Sequence, residues 1–163
     1  MNNISKEEIE KRVRNKEKLF RLKVECLDLR TGKFREANIP GAYFKSVDLR
    51  NADLRKSYLC RTHFINCDLR QADLSEAYLR STVFEECDLR NINLTESNLC
   101  EVQFISTNLS ESDFSLADFS EAVIKDCGFK DSRPYLADFS NVDPQYINPI
   151  KEDLSGALLP AGL

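Results

Sequence analysis

His63 is the only histidine in the chain, so acid–base chemistry near neutral pH would rest on it or on strongly shifted carboxylates. A general base needs an orienting partner and a concave site. His63 stands between Thr62 and Phe64 in a run that supplies neither. No serine lies in a Gly-x-Ser-x-Gly elbow, and the five glycines form no phosphate-cradling loop. Six cysteines are present, yet no Cys-x-x-Cys pair or Cys/His cluster has the spacing of a metal site. The carboxylates are numerous but recur at fixed intervals, so no acid–base pair stands apart. These residues predict no enzyme, no cofactor and no metal.

What recurs instead is charge. Asp-Leu-Arg appears at Asp28–Arg30, Asp48–Arg50, Asp68–Arg70 and Asp88–Arg90, always 20 residues apart. Stacked at a strand spacing of ~4.8 Å, four arginines would repel. Interleaved with four aspartates, they form a charge-compensated ladder of modest net value rather than an anion track.

A scaffold must impose that interval. From Leu29 to Phe129 every fifth residue is Leu, Ile or Phe, and two residues before each stands a mostly small one, such as Gly32, Ala37, Ala42, Val47 or Ala52. A beat of five fits neither helix nor flat strand. It requires a solenoid, each turn touching only its neighbours. The large and small residues point inward, and the three remaining positions are polar and face water. Phe44, Phe64, Phe84 and Phe104, followed by Ile124, set four pentapeptides per turn. So does the column Val47, Cys67, Cys87, Thr107 and Cys127, which also places three cysteines in inward slots. They are expected to be free, buried thiols.

Segments such as NADLRKSYLC, QADLSEAYLR and SLADFSEAVI resemble the pentapeptide-repeat family across residues 22–139. The resemblance implies an all-β solenoid: a right-handed quadrilateral parallel β-helix of about five coils, roughly 24 Å long at the strand spacing. An N-terminal capping α-helix is expected within residues 1–21. Ser5 and Glu8 make its capping box, and Ile9, Val13 and Phe20 its apolar stripe over residues 6–20. The β-helix occupies 22–140, and 141–163 forms an irregular C-terminal cap or tail. Pro134, Pro144, Pro149 and Pro160 end the ladder there, since proline cannot donate to it. Tyr135, Tyr146, Ile147, Ile150, Leu154, Leu158 and Leu159 are enough apolar surface for a cap or for a dimer interface, so the chain is a monomer or a homodimer through this end.

Four outward faces follow, numbered from the Asp-Leu-Arg column as the first. The fourth carries Ile65, Val83, Ile105 and Val123 beside its phenylalanines, and the third carries Tyr58, Tyr78 and Arg80. Apolar residues, and tyrosine beside arginine, are the composition of contact surfaces, so these two faces are the expected partner surface. Charge is also polarised: residues 1–25 carry net +3, 26–90 net +1 and 91–163 net −8. The acidic half includes Glu96, Glu111, Asp113, Asp118 and Glu121.

The expected function is a non-enzymatic protein-interaction or scaffolding module of the bacterial cytoplasm. It presents flat faces to an unidentified protein partner, with no direct nucleic-acid binding and no membrane span. The alternative that the resemblance implies is a DNA-mimicking inhibitor or protector of DNA gyrase or topoisomerase IV, of the quinolone-resistance type, using the acidic patch. The chain departs from such members in its neutral N-terminal half, its arginine-matched aspartates and its register unbroken by loops.

Overall fold

The structure, a computed structural model, describes residues 4–163. Helix α1 spans Lys6–Arg14, and six three-residue strands follow: β1 (Lys23–Glu25), β2 (Tyr43–Lys45), β3 (His63–Ile65), β4 (Val83–Glu85), β5 (Gln103–Ile105) and β6 (Val123–Lys125). Each pairs in parallel with the next, in the order β1-β2-β3-β4-β5-β6, and Phe44, Phe64, Phe84 and Phe104 lie in register. The other three sides are held by single parallel bridges at the same interval, such as Asp28↔Asp48, Asp53↔Asp73 and Tyr58↔Tyr78. Six stacked strands on one side of a four-sided coil are the solenoid of about five turns that the beat requires.

The core lies along the axis. Every residue on the beat from Leu29 to Phe129 is buried, and the small slots pack beside them. Phe44, Phe64, Phe84 and Phe104 stack with centroids 5.0–5.2 Å apart and planes within 9°. Such pairs add ~0.5–1.5 kcal/mol each beyond area burial. Below Phe104 the ladder gives way to an edge-packed cluster, with Phe114 meeting Phe129 at 90°. Corners are made at the second position after each beat residue, where the backbone is left-handed at Glu36 (φ 60), Asn51 (φ 57), Glu96 (φ 57) and their equivalents. At Gly32 the Phe34 ring lies where a side chain would go, a Cβ meeting it at 2.0 Å.

Helix α1 is shorter than the apolar pattern indicates. Ser5 Oγ accepts the Glu8 N–H, and Ile9 and Val13 are buried over the first coil. The chain leaves the helix at Asn15 and turns left-handed at Lys16 (φ 56). Leu19 is captured by the solenoid: it falls on the five-residue beat, and its N–H donates to the Asn38 carbonyl at 2.8 Å. The ladder therefore begins near Lys18, inside the segment expected to cap it. Phe20, placed by the helical pattern in the stripe, instead points outward and is 64% exposed. Pairing with the coil below outweighs local helix preference.

The C-terminal segment is also more regular than its prolines suggest. Pro134 sits in the core on the beat, and the residues above it still bond inward, Ala137 N–H to the Pro134 carbonyl at 2.9 Å. Helix α2 (Pro144–Ile147), with Asp143 as its cap, and a 3-10 turn (Lys151–Leu154) cross the open end and bury Ile147, Ile150 and Leu154. The chain then rejoins the solenoid, with Leu158 bridging Asp138 and the Phe139 N–H donating to the Leu158 carbonyl at 2.8 Å. Leu154 and Leu159 fall back on the five-residue beat that Pro144 and Pro149 interrupt.

Candidate interaction surface

Each face exposes the residues flanking its buried beat position. On the first face, Asp28, Asp48, Asp68 and Asp88 each accept the backbone N–H of the arginine two residues on and its Nε, the latter at 2.9 Å in all four. Three of the arginines also reach the aspartate of the next coil: Arg30–Asp48 at 3.7 Å, Arg50–Asp68 at 3.5 Å and Arg70–Asp88 at 3.6 Å. The Arg30 guanidinium holds the Asp28 carboxyl down at about 2, and Arg50 lowers Asp48 in the same way. A shallow groove of about 930 Å³ runs beside this ladder, edged by the arginines and by Asn51, Gln71 and Asn91. Its arginines are already matched by the aspartates of the ladder.

The fourth face presents Ile65, Val83, Ile105 and Val123, all half-buried. The register separates them: Ile65 and Ile105 flank Glu85, and Val83 and Val123 flank Gln103. They form a diagonal zigzag broken by polar neighbours, not a contiguous patch. His63 is exposed on the same face, between Tyr43 and Val83.

The third face is different in kind. Tyr58 and Tyr78 stand one coil apart with ring centroids 5.7 Å apart, and both are exposed, Tyr78 at 53%. A groove of about 700 Å³ runs along this face, lined by Phe20, Tyr58, Cys60, Arg61, Arg80 and Glu101 among others. The Arg80 guanidinium is bound by Glu101, which also accepts the Ser81 hydroxyl at 2.6 Å. Leu116 and Leu136 occupy left-handed corner positions on the edge shared with the second face, with Tyr135 beside them, and Leu116 is 53% exposed. Leu158 completes the column of Asp138. Apart from the terminal Leu163, and Tyr135, which flanks Pro134 on the second face, the large exposed hydrophobic residues among the described residues lie on this face or its leading edge. Sequence reasoning singled out Tyr58, Tyr78 and Arg80 here, gave Phe20 to the capping helix and Tyr135 to the C-terminal cap or dimer interface, and passed over Leu116 and Leu136. The signal was present: Leu116 and Leu136 are the only large hydrophobic residues in the left-handed corner slots.

The five acidic candidates do not share one surface. Glu111 and Glu121 sit at diagonally opposite corners of the coil, and Asp113 is paired with Arg133 at 3.0 Å. Only Glu96, Asp118 and Glu121 border or lie on the third face. All six cysteines are free. Cys67 and Cys87 donate to the carbonyls of Phe44 and Phe64 at 3.5 and 3.4 Å. The adjacent Cys67 thiol and burial push Cys87 up, and burial raises Cys127 to about 11. No group of three His, Cys, Asp or Glu among the described residues is arranged to hold a metal, and no helix is long and apolar enough to cross a membrane.

Comparison with known proteins agrees with this geometry. The sequence matches the pentapeptide repeat region family over residues 57–133 and the pentapeptide repeats (8 copies) family over residues 33–64. The chain belongs to the pentapeptide-repeat family. No curated protein matches the sequence. Among solved structures it is similar to a trypsin-treated form of QnrB1, a plasmid-mediated fluoroquinolone resistance protein. That match has a TM-score of 0.55 and 18% identity, and covers 83% of this chain and 73% of that one. HetL, a pentapeptide repeat protein involved in heterocyst differentiation regulation from the cyanobacterium Nostoc, matches with a TM-score of 0.36 and 24% identity, covering 86% and 54%. A pentapeptide repeat protein from the Arabidopsis thaliana thylakoid lumen gives 0.27 and 24%, covering 82% and 74%. At these identities the likeness is one of fold. Pentapeptide-repeat proteins, the family that the sequence matches, are known as structural or interaction modules.

Proposed function

We propose that this chain is a non-enzymatic interaction module of the bacterial cytoplasm whose contact surface is the third face. The observation that carries this reading is the gathering of Phe20, Tyr58, Tyr78, Leu116, Leu136 and Leu158 on one face and its edges, while the other sides are, Tyr135 aside, polar, ion-paired or half-buried. Aromatic residues beside arginine are the usual anchors of protein contacts, and a rigid solenoid loses little conformational entropy when it docks. The test is photo-crosslinking in cells with a benzophenone side chain at Tyr78, compared with the same group at Ile65 and at Arg70. Crosslinks concentrated at Tyr78 support the reading. Equal or stronger capture at Ile65 moves the surface to the fourth face, and capture at Arg70 moves it to the first.

The second reading is inhibition or protection of gyrase or topoisomerase IV by DNA mimicry. It draws on the carboxylates Glu96, Asp118 and Glu121 toward the C-terminal end, which have no ion-pair partner among the described residues, and on the fold shared with QnrB1. Against it stands the absence of a continuous acidic stripe, since the first-face aspartates are matched by arginines. A supercoiling assay with and without a quinolone decides. Inhibition or protection abolished by Asp118→Asn with Glu121→Gln would establish it, and unchanged enzyme activity at micromolar excess would remove it.

A further inference from the structure

The charges of the third face are sorted along the rod. Two internal pairs, Lys56–Glu76 at 3.1 Å and Arg80–Glu101, lie near its middle. Toward the N-terminal end four exposed cations, Lys16, Lys18, Arg21 and Arg61, have no ion-pair partner among the described residues. Toward the C-terminal end four carboxylates, Glu96, Asp118, Glu121 and Asp138, are likewise without a cation. Four against four, separated along a straight axis and set among exposed aromatic and leucine side chains, is a surface complementary to its own reversal.

We infer that the third face docks a second copy of this chain, antiparallel and side by side, about a two-fold axis near Tyr78. This rests on the reading of the third face as a contact surface and names its occupant. A two-fold interface is isologous, so one patch must complement itself, which a face positive at one end and negative at the other does when one copy is turned end for end. The common rise of ~4.8 Å per coil keeps every row of one copy in step with a row of the other. With the axis at Tyr78, that residue meets its own symmetry mate. Arg61 then faces the second copy's Glu101 row, with Glu121 one coil beyond, and Lys18 faces Asp138. A parallel pair would set like charges together. The face is narrow, so the dimer belongs among weak, salt-sensitive associations. It would leave a first face, with its ladder, outward on each side.

Two variants of the full chain test this. Lys18→Glu with Arg61→Glu cancels the basic end, leaving Lys16 and Arg21 against two new carboxylates, and Glu96→Lys with Glu121→Lys cancels the acidic end, leaving Asp118 and Asp138 against two new cations. In sedimentation velocity at low salt, wild type is expected to associate in the micromolar range. Association should weaken about tenfold or more on raising salt from 0.05 to 0.5 M. Each variant alone is expected to stay monomeric, and an equimolar mixture of the two to associate again, which also shows that both are folded. A short bismaleimide sets the orientation, because Cys60 of one copy lies opposite Cys100 of the other across sheets packed ~10 Å apart. Intermolecular Cys60–Cys100 links are expected, and Cys60–Cys60 links would overturn the antiparallel arrangement. A wild type that stays monomeric at 100 µM in low salt, or an association indifferent to salt and to the variants, would overturn the inference. The contact-surface reading would still be judged separately by crosslinking at Tyr78 in cells.

Discussion

The first and third faces are built by the same repeat, yet they dispose of their charge in opposite ways. On the first face each arginine lies two residues from an aspartate and one coil from the next, so the charges cancel within ~5 Å and little field leaves the surface. On the third face the slots beside the beat hold Tyr58, Cys60, Tyr78 and Arg80, then Asn98, Asp118 and Asp138, so cations and anions end up tens of ångströms apart. Spacing alone therefore decides whether charged residues act as internal bracing or as an outward signal. The first face stabilises the rod modestly, and the third is free to meet something else.

The comparison can be broken most heavily through what both faces share. Phe84→Ala removes a central rung that stacks on Phe64 at 5.0 Å and Phe104 at 5.2 Å. It is expected to cost about 3–5 kcal/mol in denaturant unfolding, since the ring is fully buried. A loss under 1 kcal/mol would mean that the column collapses onto the gap. A smaller effect separates the faces by pH. The depressed carboxyls Asp28, Asp48 and Asp53 owe their shifts first to their arginine partners, and they stabilise the fold above their ordinary pKa of 3.8. As pH falls below that value the unfolded chain takes up protons first, and the contribution drains away down to about 2 for Asp28. Melting temperature is expected to fall across that window, and less steeply in Arg50→Ala, whose Asp48 keeps only the more distant Arg30. Identical acid slopes would show that the ladder contributes nothing.

At the alkaline side the sign reverses. Cys127 is raised from 9.0 to about 11, so its stabilising effect is present below pH 9 and is lost as pH rises through 11. Cys127→Ser is expected to flatten the decline of melting temperature above pH 9, and an unaltered decline would assign it to other groups. The smallest effect lies under the third face. The Ser57 hydroxyl is buried without a hydrogen-bond partner, whereas Ser97 two coils away donates to the Leu94 carbonyl at 2.6 Å. Ser57→Ala should leave stability unchanged or raise it by up to about 1 kcal/mol, while Ser97→Ala should lower it. Equal losses at both would mean that Ser57 is satisfied in solution.

Much of this was legible before any coordinates. The beat from Leu29 to Phe129 dictated the solenoid, and the interval of 20 gave the phenylalanine column and the arginine–aspartate ladder, because a repeat writes its stacking directly into the sequence. Legibility failed where two patterns competed. Phe20 satisfies a helical stripe with Ile9 and Val13, but Leu19 satisfies the five-residue beat, and the coil took the segment. It failed again after Phe139, where Pro144 and Pro149 hid the return of the beat at Leu154 and Leu159. Surface continuity was harder still. Ile65, Val83, Ile105 and Val123 look like a patch in the sequence, yet the register sets Glu85 and Gln103 between them.

The central claim is that first-face charge braces the rod while third-face charge faces outward. A paired reversal tests it, with melting temperature and sedimentation measured on Arg70→Glu and Arg61→Glu at low salt. Arg70→Glu should lower the melting temperature by several degrees and leave association unchanged, because it sets a carboxylate against Asp68 and Asp88. Arg61→Glu should weaken association and leave the melting temperature within about 1 °C, a surface change with no partner to lose. The opposite pattern, with Arg61→Glu melting the fold or Arg70→Glu abolishing association, would contradict the account.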